Sequence, residues 1–170
     1  MKPTIPPLSK LLGKFETTGE IFVMIDIQKG ITPTENGFHI PDDLLRGNVF
    51  RIYCINQPRI KHYGLGERNG FERRLSFQAI DVKLDIYNGL MRSYNNLRMI
   101  FFAPDKKGRM QMLYNPPFHT KINIVGSDEE NHIVRASVHD GPNKKPISML
   151  VHEDGSPVTL DEFEEYVVKE

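Results

Sequence analysis

The sequence predicts an α+β, β-rich single domain: an antiparallel sheet or partly closed barrel of about seven strands with two or three short helices. Three observations carry that prediction. The 170-residue chain has only three alanines, Ala79, Ala103 and Ala136, while Ile, Val, Phe and Tyr are plentiful, a composition that favours strands over helices. Short runs of alternating apolar residues recur along it, each bounded by Gly, Pro, Asp or Asn. A helix-capping signal joined to a helical apolar stripe stands at the C-terminus.

Residues 1–19 read as a Pro-containing basic arm ahead of a domain spanning 20–170. Pro3, Pro6 and Pro7 remove backbone donors and favour extended chain. Leu8, Leu11, Leu12 and Phe15 then follow helical spacing, so a short amphipathic helix forms once that face is covered. EIFVMIDIQ is the first strand, apolar on both faces and therefore expected at the centre of the sheet. A loop rich in Thr, Pro and Asn leads to IPDDLLRG, one helical turn with Pro41 at its first position and Gly47 closing it. The strand NVFRIYCIN follows, then a long polar loop, QPRIKHYGLGERNGFERR. In LSFQAIDVKLDIY the apolar face slips by one residue, which predicts a bend near Asp81. LRMIFFA and RMQMLYN flank PDKKG, a hairpin turn composition. Further strands are expected at TKINIVG, HIVRASVH and PISMLVH. In TLDEFEEYVVKE, Thr159 and Glu162 match a capping box, and Phe163, Tyr166 and Val167 form the stripe that docks a terminal helix.

The formal net charge is zero, yet opposite charges are sorted along the chain. Residues 46–122 carry 14 Lys and Arg against 5 Asp and Glu, whereas residues 123–170 carry 4 against 11. Such sorting suits an anionic partner on one face and a neighbouring copy on another. No apolar run approaches the ~20 residues needed to cross a bilayer, and the prolines of MKPTIPPLSK interrupt any signal-peptide core, so a cytoplasmic protein is expected. The lone Cys54 lies within an apolar strand and reads as a small core residue.

Catalytic, metal and cofactor sites are not expected. The glycines of GLGERNG precede a strand, where a dinucleotide site needs a helix. None of the six histidines, at 39, 62, 119, 132, 139 and 152, shows metal-ligand spacing; His139-Asp140 and His152-Glu153-Asp154 form a site only if the fold brings them together. The basic block is the stronger candidate. Arg51, Arg59, Lys61, Arg68, Arg73 and Arg74 cluster with Tyr53, Tyr63, Phe71 and Phe77, and Lys106, Lys107 and Arg109 sit at the predicted hairpin tip. Cations on loops reach phosphates, and interleaved aromatics stack on bases or enter a lipid interface. The competing expectation is that Tyr53 and Phe77 are core and that these cations pair with the acidic C-terminal helix of the same molecule.

The short Lys- and Pro-bearing tail MKPTIPPLSKLLGK, ahead of one β-rich domain beginning at EIFVMIDI, resembles the layout of the matrix proteins of plant-infecting rhabdoviruses. Pro3-Thr4-Ile5-Pro6 is similar to the Pro-Thr-Ala-Pro late-domain tetrapeptide of enveloped viruses, with Ile in place of Ala. The resemblance implies a non-enzymatic virion protein that self-associates, condenses a nucleocapsid and lies on acidic membrane during budding, in the virion and host cytoplasm. On that reading Lys2, Lys10 and Lys14 join the basic block in binding the anionic surface. Self-association then uses Pro6, Pro7, Leu8, Leu11 and Leu12 of the arm, and Glu162, Glu164 and Glu165 against a neighbour's basic surface. The alternatives are a single-stranded nucleic-acid-binding or silencing-suppressor protein, an enzyme built where histidines and C-terminal acids converge, and an interaction domain without nucleic acid.

Overall fold

The computed structural model describes residues 18–25, 29–55, 57–66, 69–79, 99–115, 121–128, 133–144 and 147–169. Lys2, Pro6, Pro7, Leu8, Lys10, Leu11, Leu12, Lys14, Arg68, the bend expected near Asp81, His119 and His132 lie outside the described residues. The strands are β1 (Thr18–Ile25), β2 (Thr32–Thr34), β3 (Gly37–His39), β4 (Phe50–Ile55), β5 (Lys61–Gly64), β6 (Phe71–Ala79), β7 (Met99–Pro104), β8 (Met110–Leu113), β9 (Lys121–Asp128), β10 (Ile133–Asn143) and β11 (Met149–Val151). Two short helices, α1 (Asp42–Leu45) and α2 (Leu160–Phe163), and a 3-10 turn (Glu164–Tyr166) accompany them. The strands form one curled sheet in the order β2-β3-β11-β8-β7-β1-β4-β6-β10-β9, with β5 paired to β6 beside this path. The sheet is mixed, because β3 and β11 run parallel while every other described pair is antiparallel.

β1 is central, as its apolar alternation predicts: β4 pairs one edge and β7 the other. Ile21 and Val23 enter a core on the inside of the curl with Ile52, Leu75, Phe77, Phe101 and Val138. Phe22 and Met24 enter a second core on the opposite face with Leu45, Phe102, Phe163 and Tyr166. That second core is closed by the C-terminal segment. Thr159 and Glu162 form the expected capping box. Phe163 then packs edge-on against Phe22 with ring centroids 5.0 Å apart, and against Phe102 at 5.0 Å. The expected PDKKG hairpin joins β7 and β8, where the Asp105 carboxylate accepts the backbone N–H groups of Lys107 and Arg109, each at 2.9 Å.

Eleven strands among the described residues replace the expected seven or so, eight of them on the runs named from the sequence. The surplus lies in segments read as loops: β2 and β3 within the Thr/Pro/Asn-rich stretch, and β5 within the long polar one. β2 and β3 are three residues each, too short to show periodicity, and are held by the pairing of β3 to β11. Gly37 permits that approach: a Cβ there would lie 2.0 Å from the Met149 carbonyl oxygen. β6 also begins earlier than expected, at Phe71, so that Arg73 and Arg74 belong to a strand.

Candidate anion-binding face

Strand parity separates the side chains of β6 and β10. Leu75, Phe77, Ala136 and Val138 point into the inner core, leaving Arg74, Ser76 and Gln78 of β6 and Arg135, Ser137 and His139 of β10 on the outer face. Register aligns them in rows across the sheet. His139 stands opposite Arg74, Ser137 opposite Ser76, and Arg135 opposite Gln78. On the other side of β6, Lys61 of β5 stands opposite Arg74 and Tyr63 opposite Glu72. Lys61, Tyr63, Arg74, Ser76, Gln78, Arg135 and Ser137, together with the 57–59 segment, border an open concavity of about 520 Å³. Four cations line it, Arg59, Lys61, Arg74 and Arg135, and no described carboxylate does.

The four cations are differently committed. Arg74 donates from Nε and Nη2 to Glu72 Oε2 at 3.0 and 2.8 Å, and its guanidinium lies 4.8 Å from the Tyr63 ring centroid. Glu72 Oε1 is also 3.9 Å from His139 Nε2, so one carboxylate just behind the rim orients two outer-face side chains. Arg59 donates to the Pro104 carbonyl oxygen. Lys61 and Arg135 are exposed and pair with no described carboxylate. Arg135 was missed by reasoning on charge blocks, because it sits in the acidic third of the sequence; the alternation in HIVRASVH was the available signal.

Other members of the basic block are placed elsewhere. Arg73, expected on the cationic surface, is buried with 1% exposure, because β6 parity turns it inward beside Leu75. Its Nε donates to Asp140 Oδ1 at 3.1 Å, Nη2 lies 3.0 Å from Oδ2, and Nη2 also donates to Asn143 Oδ1 and the Tyr114 carbonyl oxygen. Burial pushes the Asp140 carboxyl up, against the opposing pull of Arg73 and Asn143. Arg51 pairs with Glu164 and with Glu20 at 3.6 Å, its guanidinium lying 5.7 Å from the Phe22 ring centroid. Arg109 pairs with Asp105 at 2.8 Å. Lys106 and Lys107 are exposed at the hairpin tip and do not line the concavity.

The acidic residues expected to meet a second copy are partly used within the subunit. Glu164 holds Arg51, and Glu162 accepts from Thr159 and lies 2.6 Å from His152 Nε2; Glu165 is exposed. Phe77 is core and Tyr53 half-buried. Among the described histidines, His139 faces Glu72 and His152 faces Glu162, while His39, which bonds the Val151 carbonyl oxygen, shares a second open concavity with His152, Asp42, Glu153 and Asp154. No described group of three His, Cys, Asp or Glu side chains is placed to hold a metal ion. Within GLGERNG, Gly64 ends β5 and pairs with Phe71 of β6. Cys54 is fully buried in the inner core, where burial, reinforced by Glu20, pushes its thiol up to about 12.

The outer face of β5, β6 and β10 thus has the chemistry of a surface for anions: cations, most of them paired with no described carboxylate, around hydroxyls, an amide and an exposed aromatic ring. No family model, curated protein or solved structure matches the chain. No helix among the described residues is long and apolar enough to cross a membrane.

Proposed function

We infer that this chain is a non-enzymatic nucleic-acid-binding protein that engages single-stranded RNA, free or within a nucleocapsid, through the outer face of β5, β6 and β10. The observation that carries the reading is the concavity lined by Arg59, Lys61, Arg74 and Arg135 without a described carboxylate. Phosphates supply the matching charge, and release of their counterions makes such binding favourable. The Arg74–Tyr63 stack at its rim offers a base a planar platform. An open face suits a strand that passes along it.

A matrix-type assembly role at an acidic membrane is the second reading. It is favoured by the β5–β6 hairpin, where Tyr63 and Leu65 are 40% and 39% exposed beside Lys61. Aromatic and aliphatic side chains next to a cation suit a headgroup boundary. The two readings separate in one pair of measurements: retention on immobilised single-stranded RNA across a salt series, and co-flotation with phosphatidylserine liposomes. Salt-sensitive RNA retention without flotation supports the first. Flotation without RNA retention overturns it in favour of the second.

A further inference from the structure

We propose that the same face distinguishes RNA from DNA by binding the ribose 2′-hydroxyl with Ser76 and Ser137, an inference that rests on the single-strand reading above. Register places three rows on the outer face. One contains Lys61, Arg74 and His139, and Lys121 of β9 occupies the next register position in it. The middle row contains Ser76, Ser137 and Asn123. The third contains Gln78 and Arg135. Successive same-face residues are about 7 Å apart along a strand, so the two cationic rows stand about 14 Å from each other. A polynucleotide running along β6 and β10 with phosphates on both outer rows spans about two nucleotides between them and carries their sugars past the middle one.

The middle row is uncharged and hydroxyl-bearing at that position. Ser76 is exposed, Ser137 is half-buried, and neither hydroxyl bonds a described residue. Each can donate one hydrogen bond and accept others, as can a ribose 2′-hydroxyl. A deoxyribose in that place displaces water from the serines and offers them nothing in exchange. Two serines directly opposed across antiparallel strands can hold one hydroxyl between them, donating from one side and accepting on the other.

The test measures affinities of the full chain for a uridine oligonucleotide and a deoxyuridine oligonucleotide of equal length at fixed salt. Net gains from such hydrogen bonds predict a preference for the ribo form of about three- to tenfold. In the double variant Ser76→Ala/Ser137→Ala, the affinities for RNA and DNA are expected to become equal, because neither sugar then meets a hydroxyl partner. Folding is checked by circular dichroism. Equal binding of RNA and DNA by the parent chain overturns the ribose readout and leaves the single-strand reading standing. A preference that survives in the double variant overturns the assignment to these serines. Absence of binding to either polymer overturns both the inference and the reading beneath it.

Discussion

Replacing Lys61 and Arg135 together by Ala removes two of the three lining cations that no described carboxylate neutralises, and leaves Arg59. Each phosphate neutralised on a single strand adds about 0.7 to the slope of log affinity against log salt. With Arg74 held by Glu72, the other three lining cations set a slope of about −2.1, and the double variant should show about −0.7. Between 50 and 200 mM salt the parent affinity is expected to drop about 18-fold and that of the variant only about threefold. Anisotropy of a labelled unstructured oligonucleotide, titrated at several salt concentrations, reads both slopes. Because both side chains are exposed, the melting temperature should change little, which separates lost binding from lost folding. A variant that binds less tightly at every salt concentration with an unchanged slope refutes the reasoning, since its phosphate contacts would then lie elsewhere.

Arg73→Met probes the interior instead: leaving Asp140 buried without its cation should cost about 3–5 kcal/mol in denaturant unfolding, and Arg73→Met/Asp140→Leu should recover most of that. A single-variant cost below about 1 kcal/mol would contradict the buried pair. Cys54 should resist alkylation in the native state and label at the rate of unfolding; rapid labelling of folded protein would contradict its burial. Burial, then the hydrogen bond to Asp42, pushes Tyr166 up to about 12 from 10.0. With the folded value raised, the neutral phenol's contribution to stability is complete below pH 10 and lost as pH rises towards 12, a limb that Tyr166→Phe should flatten in alkaline unfolding curves.

What sequence made legible was whatever local pattern decides. β1 alternates two apolar sets and is the central strand with a core on each face. The capping box is a four-residue signal and formed as written. Strands β2, β3 and β5 depend on partners: β3 is held by β11, more than a hundred residues away, and no window of three residues encodes that pairing. Arg73 and Arg74 are identical in sequence and opposite in fate. Only the starting point of β6 decides which turns inward, and with Phe71 as its first residue, Arg73 shares parity with Leu75 and Phe77. Its carboxylate partner lies 67 positions away.

The cationic face follows from parity and register, and block charge is a poor guide to it. Half of the eight described basic-block candidates are neutralised within their own subunit, Arg51 by Glu20 and Glu164, Arg73 by Asp140, Arg74 by Glu72 and Arg109 by Asp105. Lys106 and Lys107 project from another hairpin. Conversely Arg135, embedded in the acidic third of the sequence, reaches the face because antiparallel pairing lays β10 along β6 with outward residues matched. Glu72 illustrates the same rule from the other sign. It lies on the strand that carries the cations, two residues before Arg74, and holds that guanidinium against Tyr63 while remaining outside the concavity's lining. A carboxylate there fixes the geometry of one cation, while Arg59, Lys61 and Arg135 pair with no described carboxylate, so the described lining of the face is positive although the chain as a whole is neutral.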